Sequence, residues 1–387
     1  NIFEPNLNPC IAILSMCRRP SAVACAAAAA FLAAAALLCA AQAQPTTLNT
    51  RFDGYTYVSN VIGYVNMTTD YCDIQAAIAA GNFTAAHEIY ATGKNSYSGL
   101  SRRTFYRFAT FVPAAGVMEP LHDALAMRRN ASWLDAMIKD AVAKRNGPLT
   151  LGLIQVAALK YFVHEVDEAF TKISTYLADP TNNDILISDA TGAPHNVDEA
   201  FALWAGGSPT ACATLSGWAT RLGSDLEATF LGKSFVNSAM TLAINELLAA
   251  SRKAESSSYN NTRFMVQRYV TVMGLQGVLR SVYRAEAAVA CKRSPAQIAD
   301  AQAMIAVHWT YLEPMLVARN VRADYVHALH QALTAPTPRY SQALAAIRTV
   351  VSAMGRRMAE IGSPKFDRVT AGWNCNPSVM ATSGRRR

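Results

Sequence analysis

Apolar residues recur three and four positions apart in nearly every window of this chain, and strictly alternating runs are scarce. That spacing marks helices with one buried face, whereas a half-buried strand alternates every second residue. Alanine, the strongest helix former, is abundant. The pattern predicts short helices over Cys72–Ala80 and Thr84–Thr92, parted by Gly81-Asn82, then helices over Glu119–Arg129 and Ser132–Lys144. Pro148 opens a long helix over Leu149–Leu177, which Asp179-Pro180 ends. A loop rich in Asn, Gly and Pro hands over to a helix beginning near His195 and stopped by Gly206-Gly207. Further helices are predicted over Ser224–Ser251 and Asn261–Cys291. Ser294-Pro295-Ala296-Gln297 is a capping box with proline in the first turn, so a helix starts there and runs to about Val317. Arg322–Leu333 and Arg339–Met354 complete an all-α fold, a multi-helix bundle. A faint echo between Ile154-Gln155 with Tyr161-Phe162 and Leu275-Gln276 with Val282-Tyr283 suggests a variant of it, two related helical lobes over 45–207 and 208–387. A tetratricopeptide-like pair over Ile74–Tyr90 has no continuing 34-residue period, which disfavours a solenoid.

The first residues change the picture of what is mature protein. Met16-Cys17-Arg18-Arg19 opens a basic region, an apolar run covers Ser21–Leu38, and Ala41-Gln42-Ala43 has the small-x-small form of a cleavage site. The expectation is a translation start at Met16, a secretory signal peptide cut after Ala43, and a mature helical domain over 44–387. Cysteine usage agrees with export. Cys72, Cys212, Cys291 and Cys375 remain after cleavage, enough for two disulfides in one of three connectivities, with no CxxC metal spacing. Glycosylation acceptors of the form Asn-x-Ser/Thr stand at Asn66, Asn82, Asn130 and Asn260. The formal charge is +8, but apart from Arg356-Arg357 and the terminal arginines the basic residues are dispersed. They are not interleaved with aromatics, so nucleic-acid binding is not expected; solubility, or affinity for an anionic cell wall, is.

The most specific chemistry lies in a repeat. The heptapeptide His-x-Val-Asp-Glu-Ala-Phe occurs at His164–Phe170 and again at His195–Phe201, and only the residue after the histidine differs. Positions four apart share a helical face, so His164 lies beside Glu168 and His195 beside Glu199, with Asp167 and Asp198 one step round the stripe. An imidazole and two carboxylates per turn, twice over, resemble two halves of one cation site. Mixed nitrogen and oxygen donors suit iron, manganese or zinc. Glu119 and His122 form a Glu-x-x-His pair of the kind carboxylate-rich bundles use, a weaker candidate because it occurs once. His327 and His330 share a late helical face. Against all of these stands the plain alternative that Val166, Ala169 and Phe170 are a core stripe and the acids a solvated face.

Signatures of catalysis are missing. His164-Glu165 begins like a zinc-protease helix, but Glu168 occupies the place of the second histidine. There is no Gly-x-Ser-x-Gly elbow, phosphate-binding loop or dinucleotide fingerprint. Binding is therefore expected rather than catalysis.

Asn66-Met67-Thr68-Thr69-Asp70-Tyr71-Cys72-Asp73-Ile74, followed by Ala86-His87-Glu88-Ile89-Tyr90-Ala91-Thr92-Gly93-Lys94-Asn95-Ser96, resembles the opening of the low-iron-inducible periplasmic proteins of green algae, also called iron-assimilation proteins. The Val197–Trp204 run ahead of Gly206 resembles that family's central motif. The resemblance covers the first half of the mature chain and is vaguer beyond it. It implies a secreted, non-catalytic protein of the space between membrane and wall that assists iron acquisition; the mechanism expected here is capture of ferrous or ferric iron and its hand-over to a membrane ferrireductase or transporter. It supplies no ligand set, so the candidates rest on the repeat: His164, Asp167, Glu168, His195, Asp198 and Glu199, with Glu119 and His122 behind them. If the two helices are neighbours, the two histidine–glutamate pairs face one another, with the aspartates as reserve ligands or supports. The competing readings are a metal-dependent oxidase of the ferroxidase kind, and a wall or matrix glycoprotein that binds no metal.

Overall fold

The computed structural model describes residues 51–114, 117–126, 130–207, 215–336, 339–373 and 375; the expected signal peptide and Cys212 lie outside them. They are predominantly helical. In order come α1 (Ile62–Ala79), α2 (Phe83–Thr92), α3 (Phe105–Thr110), α4 (Pro120–Ala126), α5 (Trp133–Ala143) and the long α6 (Gly147–Ala178). Then follow α7 (Ala193–Ala205), α8 (Leu215–Asp225), α9 (Phe235–Arg252), the 35-residue α10 (Ser256–Ala290) and α11 (Pro295–Ala318). The remainder are α12 (Ala323–Thr334), α13 (Tyr340–Ala353), α14 (Met358–Ile361) and α15 (Phe366–Val369). Three two-residue hairpins punctuate them: β1–β2 (Arg51–Phe52, Tyr55–Thr56), β3–β4 (Tyr97–Ser98, Ser101–Arg102) and β5–β6 (Thr229–Phe230, Lys233–Ser234).

Side-chain caps set the helix starts. Asn82 accepts from Ala85 N at 3.0 Å, Thr104 from Arg107 N at 3.0 Å and Asn146 from Leu149 N at 3.0 Å, each satisfying an amide the helix itself leaves open. The capping box at Ser294 and Gln297 forms as its sequence predicts.

The segment predicted as one helix over Ser224–Ser251 is a helix end, a hairpin and a second helix. Leu231 and Gly232 both take positive φ, 50° and 78°, which suits a tight hairpin turn and no helix, and Ser234 then caps α9. Leucine at such a φ is uncommon, so the apolar run concealed the turn. The first helix starts at Ile62, ten residues ahead of the predicted Cys72. Its added turns carry poor helix formers, Asn66, Thr68, Thr69 and Asp70, which tertiary contacts hold. Asp70 is buried and accepts from Lys94 N and Asn95 N at 3.1 and 2.7 Å, while Asp73 takes Asn95 Nδ2 at 3.0 Å and Lys94 Nζ at 2.8 Å. The Gly93-Lys94-Asn95-Ser96 string is thus a loop clasped by α1.

Buried apolar side chains from Tyr55 to Ile361 form one continuous core cluster, shared by helices on both sides of Gly207. α6 meets α5, α7, α10 and α11, and α10 lies along α9 and α11. Close approach of α10 and α11 depends on Gly277, where a Cβ would collide with the ring of His308. α6 is long and apolar enough to cross a bilayer, but its most apolar stretch is mostly buried in the protein, as in a core helix.

Candidate metal centre

The first heptapeptide sits inside α6 and the second opens α7, two helices that pack together. Val166, Ala169, Val197, Ala200 and Phe201 are fully buried, so the apolar members of the repeat are core, as the 3.6 period requires. The polar members split into two groups with different work.

The two aspartates anchor chain segments. Asp167 Oδ2 accepts from Leu121 N at 2.7 Å and His122 N at 3.0 Å, at the start of α4, and Oδ1 pairs with Arg263 at 3.0 Å. Asp198 Oδ2 accepts from Val58 N at 2.9 Å and from Ser59 N and Oγ at 2.6 Å, and Oδ1 takes the Tyr55 hydroxyl at 2.6 Å. In each copy a fully buried carboxylate thus holds two consecutive amides of a preceding segment. Burial pushes Asp167 up to about 7, against the opposing pull of Arg263 and those amides.

Each histidine is gripped at both nitrogens. His164 Nδ1 lies 2.8 Å from Glu119 Oε2, and its Nε2 lies 3.3 Å from Glu168 Oε2. His195 repeats the arrangement, with Nδ1 2.8 Å from Ser59 Oγ and Nε2 3.1 Å from Glu199 Oε1. The charges differ. Burial opposes a charged His164, but hydrogen bonds to Glu119 and Glu168 outweigh it and raise the ring to about 10. Glu168 is held down at about 2, first by His164 and then by Lys172, against burial. His195, with a serine in place of a second carboxylate, is lowered by burial. The first turn therefore holds an imidazolium between two carboxylates, and the second a neutral ring.

Glu165 joins the turns. Its carboxylate, 1% exposed, accepts from Tyr64 Oη at 2.8 Å and from Asn196 Nδ2 at 2.6 Å, and lies within hydrogen-bonding reach of Glu199. Glu165 and Asn196 occupy the one position at which the two heptapeptides differ. A carboxylate in both copies would meet its own charge; an amide in one supplies a donor. Burial first, and the neighbouring Glu199 second, push Glu165 well above the usual carboxylate range, and burial lifts Glu199 to about 7. Both carboxyls are therefore pushed toward their protonated forms. Ligand atoms of His164, Glu165 and Glu168 all lie within 4.8 Å of one another, a spacing that one small cation spans. A cavity of about 360 Å³ has none of these acids or histidines in its lining, but is lined by Tyr64, Arg103, Phe111 and Tyr161, which contact them. The Phe111 ring, tilted by 39°, has its centre 3.9 Å from that of the His164 ring, and Arg103 Nη2 stands 3.9 Å from Glu199.

The repeat thus pairs His164 with Glu168 and His195 with Glu199 and sends Asp167 and Asp198 to structural contacts; among the described residues the group spaced for one ion is His164, Glu165 and Glu168, which His195 and Glu199 do not join. Glu119 joins the first histidine, whereas neither ring nitrogen of buried His122 makes a hydrogen bond. His327 and His330 have separate partners, Gln331 and the Trp309 ring. Glu165, Tyr64, Ser59 and Arg103 were not singled out by the sequence pattern. Only Glu165 left a trace there, as the point of divergence within the repeat.

A family model described as low iron-inducible periplasmic protein matches residues 26–383. No curated protein and no solved structure matches the chain.

Proposed function

The chain belongs to the low iron-inducible periplasmic protein family, and from that premise we propose that it captures iron outside the plasma membrane and holds it for uptake, without catalysing a reaction on it. The observation that carries this reading is the grouping of His164, Glu165 and Glu168 ligand atoms within 4.8 Å, with Glu119 and Glu199 adjoining. Carboxylates and imidazole are donors that iron accepts in either oxidation state, carboxylates being favoured by the harder ferric ion. His164, charged and lying between Glu119 and Glu168, fills the electrostatic place of a cation. Iron entering there displaces its proton and competes with protonation of Glu165 and Glu199, both raised by burial. Affinity therefore rises with pH, and binding releases protons. Transfer to a membrane ferrireductase or transporter, and retention near an anionic wall through the basic surface, belong to the same proposal.

One observation favours a second reading, a helical wall or matrix protein that binds no metal: Glu119, His164 and Glu168 are already complete as a buried ion-paired triad. Iron titration of the purified secreted chain, beside the isosteric Glu165→Gln/Glu168→Gln variant, separates the two. The capture reading expects saturable binding of about one iron per chain, lost in the variant while helical circular dichroism is unchanged. Binding that survives the double substitution removes this site, and no binding by the unaltered chain favours the second reading.

A further inference from the structure

A second cavity, of about 450 Å³, is lined by residues of α1, α6, α8, α10 and α11, and no residue of the candidate iron centre lines it. Three guanidinium groups border it: Arg221 from α8, and Arg280 and Arg284 one turn apart on α10. Asp225 pairs with Arg280, while Arg284 donates one hydrogen bond to Val369 O and lies 4.7 Å from the Trp373 ring centre. Arg221 is exposed and has no hydrogen-bond or ion-pair partner among the described residues. Asp300 is the one carboxylate in the lining. Positive charge is thus in excess, and its effect registers on Arg284, which is lowered by burial first and by Arg280 next. Ser281, also in the lining, is 1% exposed, and its hydroxyl has no hydrogen-bond partner. A buried hydroxyl without a partner is costly unless a ligand or water supplies one.

We propose that this cavity binds a small organic acid carrying two or more carboxylates. Guanidinium groups match carboxylates through paired, charge-assisted hydrogen bonds. Arginines from two different helices call for anionic groups at more than one end of the ligand. The volume falls within the usual range for small-molecule sites and exceeds what one inorganic oxyanion fills. The indole rings of Trp218 and Trp373, together with Met304, give the carbon skeleton an apolar wall. The Ser281 hydroxyl donates to the carboxylate nearest it. This inference does not depend on the iron reading.

The test is isothermal titration of the full secreted chain with citrate, in metal-free buffer at chloride-matched ionic strength, with inorganic phosphate titrated in parallel. Arg221→Gln is the decisive variant, because an exposed side chain without partners is removed at no cost to folding, which an unchanged melting curve verifies. The expected result is saturable binding of one citrate per chain, weakened at least 10-fold by Arg221→Gln and several-fold by Ser281→Ala. Glu165→Gln/Glu168→Gln leaves it unchanged. Absence of saturable citrate binding overturns the proposal, as does binding indifferent to Arg221→Gln. Phosphate binding as tight as citrate overturns the assignment to a polycarboxylate.

Discussion

Asn196 shows how much a single atom pair decides. Its side-chain amide donates to Glu165 and its oxygen accepts from Lys172 Nζ at 2.6 Å. Asn196→Glu would make the two heptapeptides identical and set a third carboxylate beside Glu165 and Glu199. Breaking a buried charge arrangement this way costs about 3 kcal/mol or more, so urea unfolding is expected to show that loss at pH 7.5 and a smaller one at pH 5, where the carboxyls take up protons. Equal losses at both pH values would contradict the upward push that burial gives these carboxyls. The same carboxyls give a sign for the metal-free protein. Glu199, raised from 4.5 to about 7, contributes stability that is present below pH 4.5 and lost as the pH rises through 7. On the capture proposal iron would relieve that loss, so the shift in melting temperature on adding iron is expected to be larger at pH 8 than at pH 6.

His308 acts in the opposite direction. Burial first, and Arg280 next, lower it from 6.5 to about 3, while Tyr311 Oη lies 2.9 Å from its Nδ1. Between pH 6.5 and 3 the unfolded chain takes up a proton that the folded protein refuses. The stability His308 contributes is therefore complete above pH 6.5 and lost as the pH falls, by about 2 kcal/mol at pH 5. His308→Gln is expected to remove that part of the acid slope, measured as the difference in unfolding free energy between pH 7.5 and 5.0 for the two proteins.

At the scale of elements, the helix pairs are set by which residues are small where axes come close. Gly277 on α10 faces His308 on α11, and Gly152 on α6 faces Val307. Gly277→Ala keeps helix propensity, indeed improves it by about 1 kcal/mol, yet forces the His308 ring aside. Overpacking outweighs propensity here, with an expected net loss of about 1–3 kcal/mol and a lowered melting temperature. A variant at least as stable as the parent would show that α11 can shift without cost. Glycosylation is decided at this scale too. Asn130 is exposed, whereas Asn66 Oδ1 is buried, Asn82 caps α2 and Asn260 accepts from Arg263 at 2.6 Å. If the protein carries N-linked glycan, peptide mapping is expected to find it at Asn130 before the others.

At the scale of the whole molecule, the Cys291–Cys375 disulfide ties the end of α10 to the far end of the described chain across 84 residues; Cys72 is disulfide-bonded as well. Closing a loop of that length restricts the unfolded chain by about 4 kcal/mol. Cys291→Ser/Cys375→Ser is therefore expected to lower stability by up to that amount while leaving the helical spectrum intact. The tie also holds Trp373, which meets both Arg284 and Arg293, so the same variant is expected to loosen one wall of the 450 Å³ cavity and weaken citrate binding.

Local chemistry written into consecutive residues determined the helices, since period, caps and proline placement act within a few positions. It placed α5, α6, α7, α11, α12 and α13 close to their observed bounds, and it exposed the repeated His-x-Val-Asp-Glu-Ala-Phe turn. Local pattern misread the Leu231-Gly232 turn, because nothing in an apolar run announces a positive φ at leucine. What the repeat does with its side chains was decided only by packing. Glu119 reaches His164 across 45 residues, Tyr64 reaches Glu165 across 101 and Tyr55 reaches Asp198 across 143. An aspartate bound by two amides and a glutamate pushed toward its protonated form are both acids of one short turn. They differ in what the rest of the chain brings to them, and long-range contacts of that kind leave no period in the sequence.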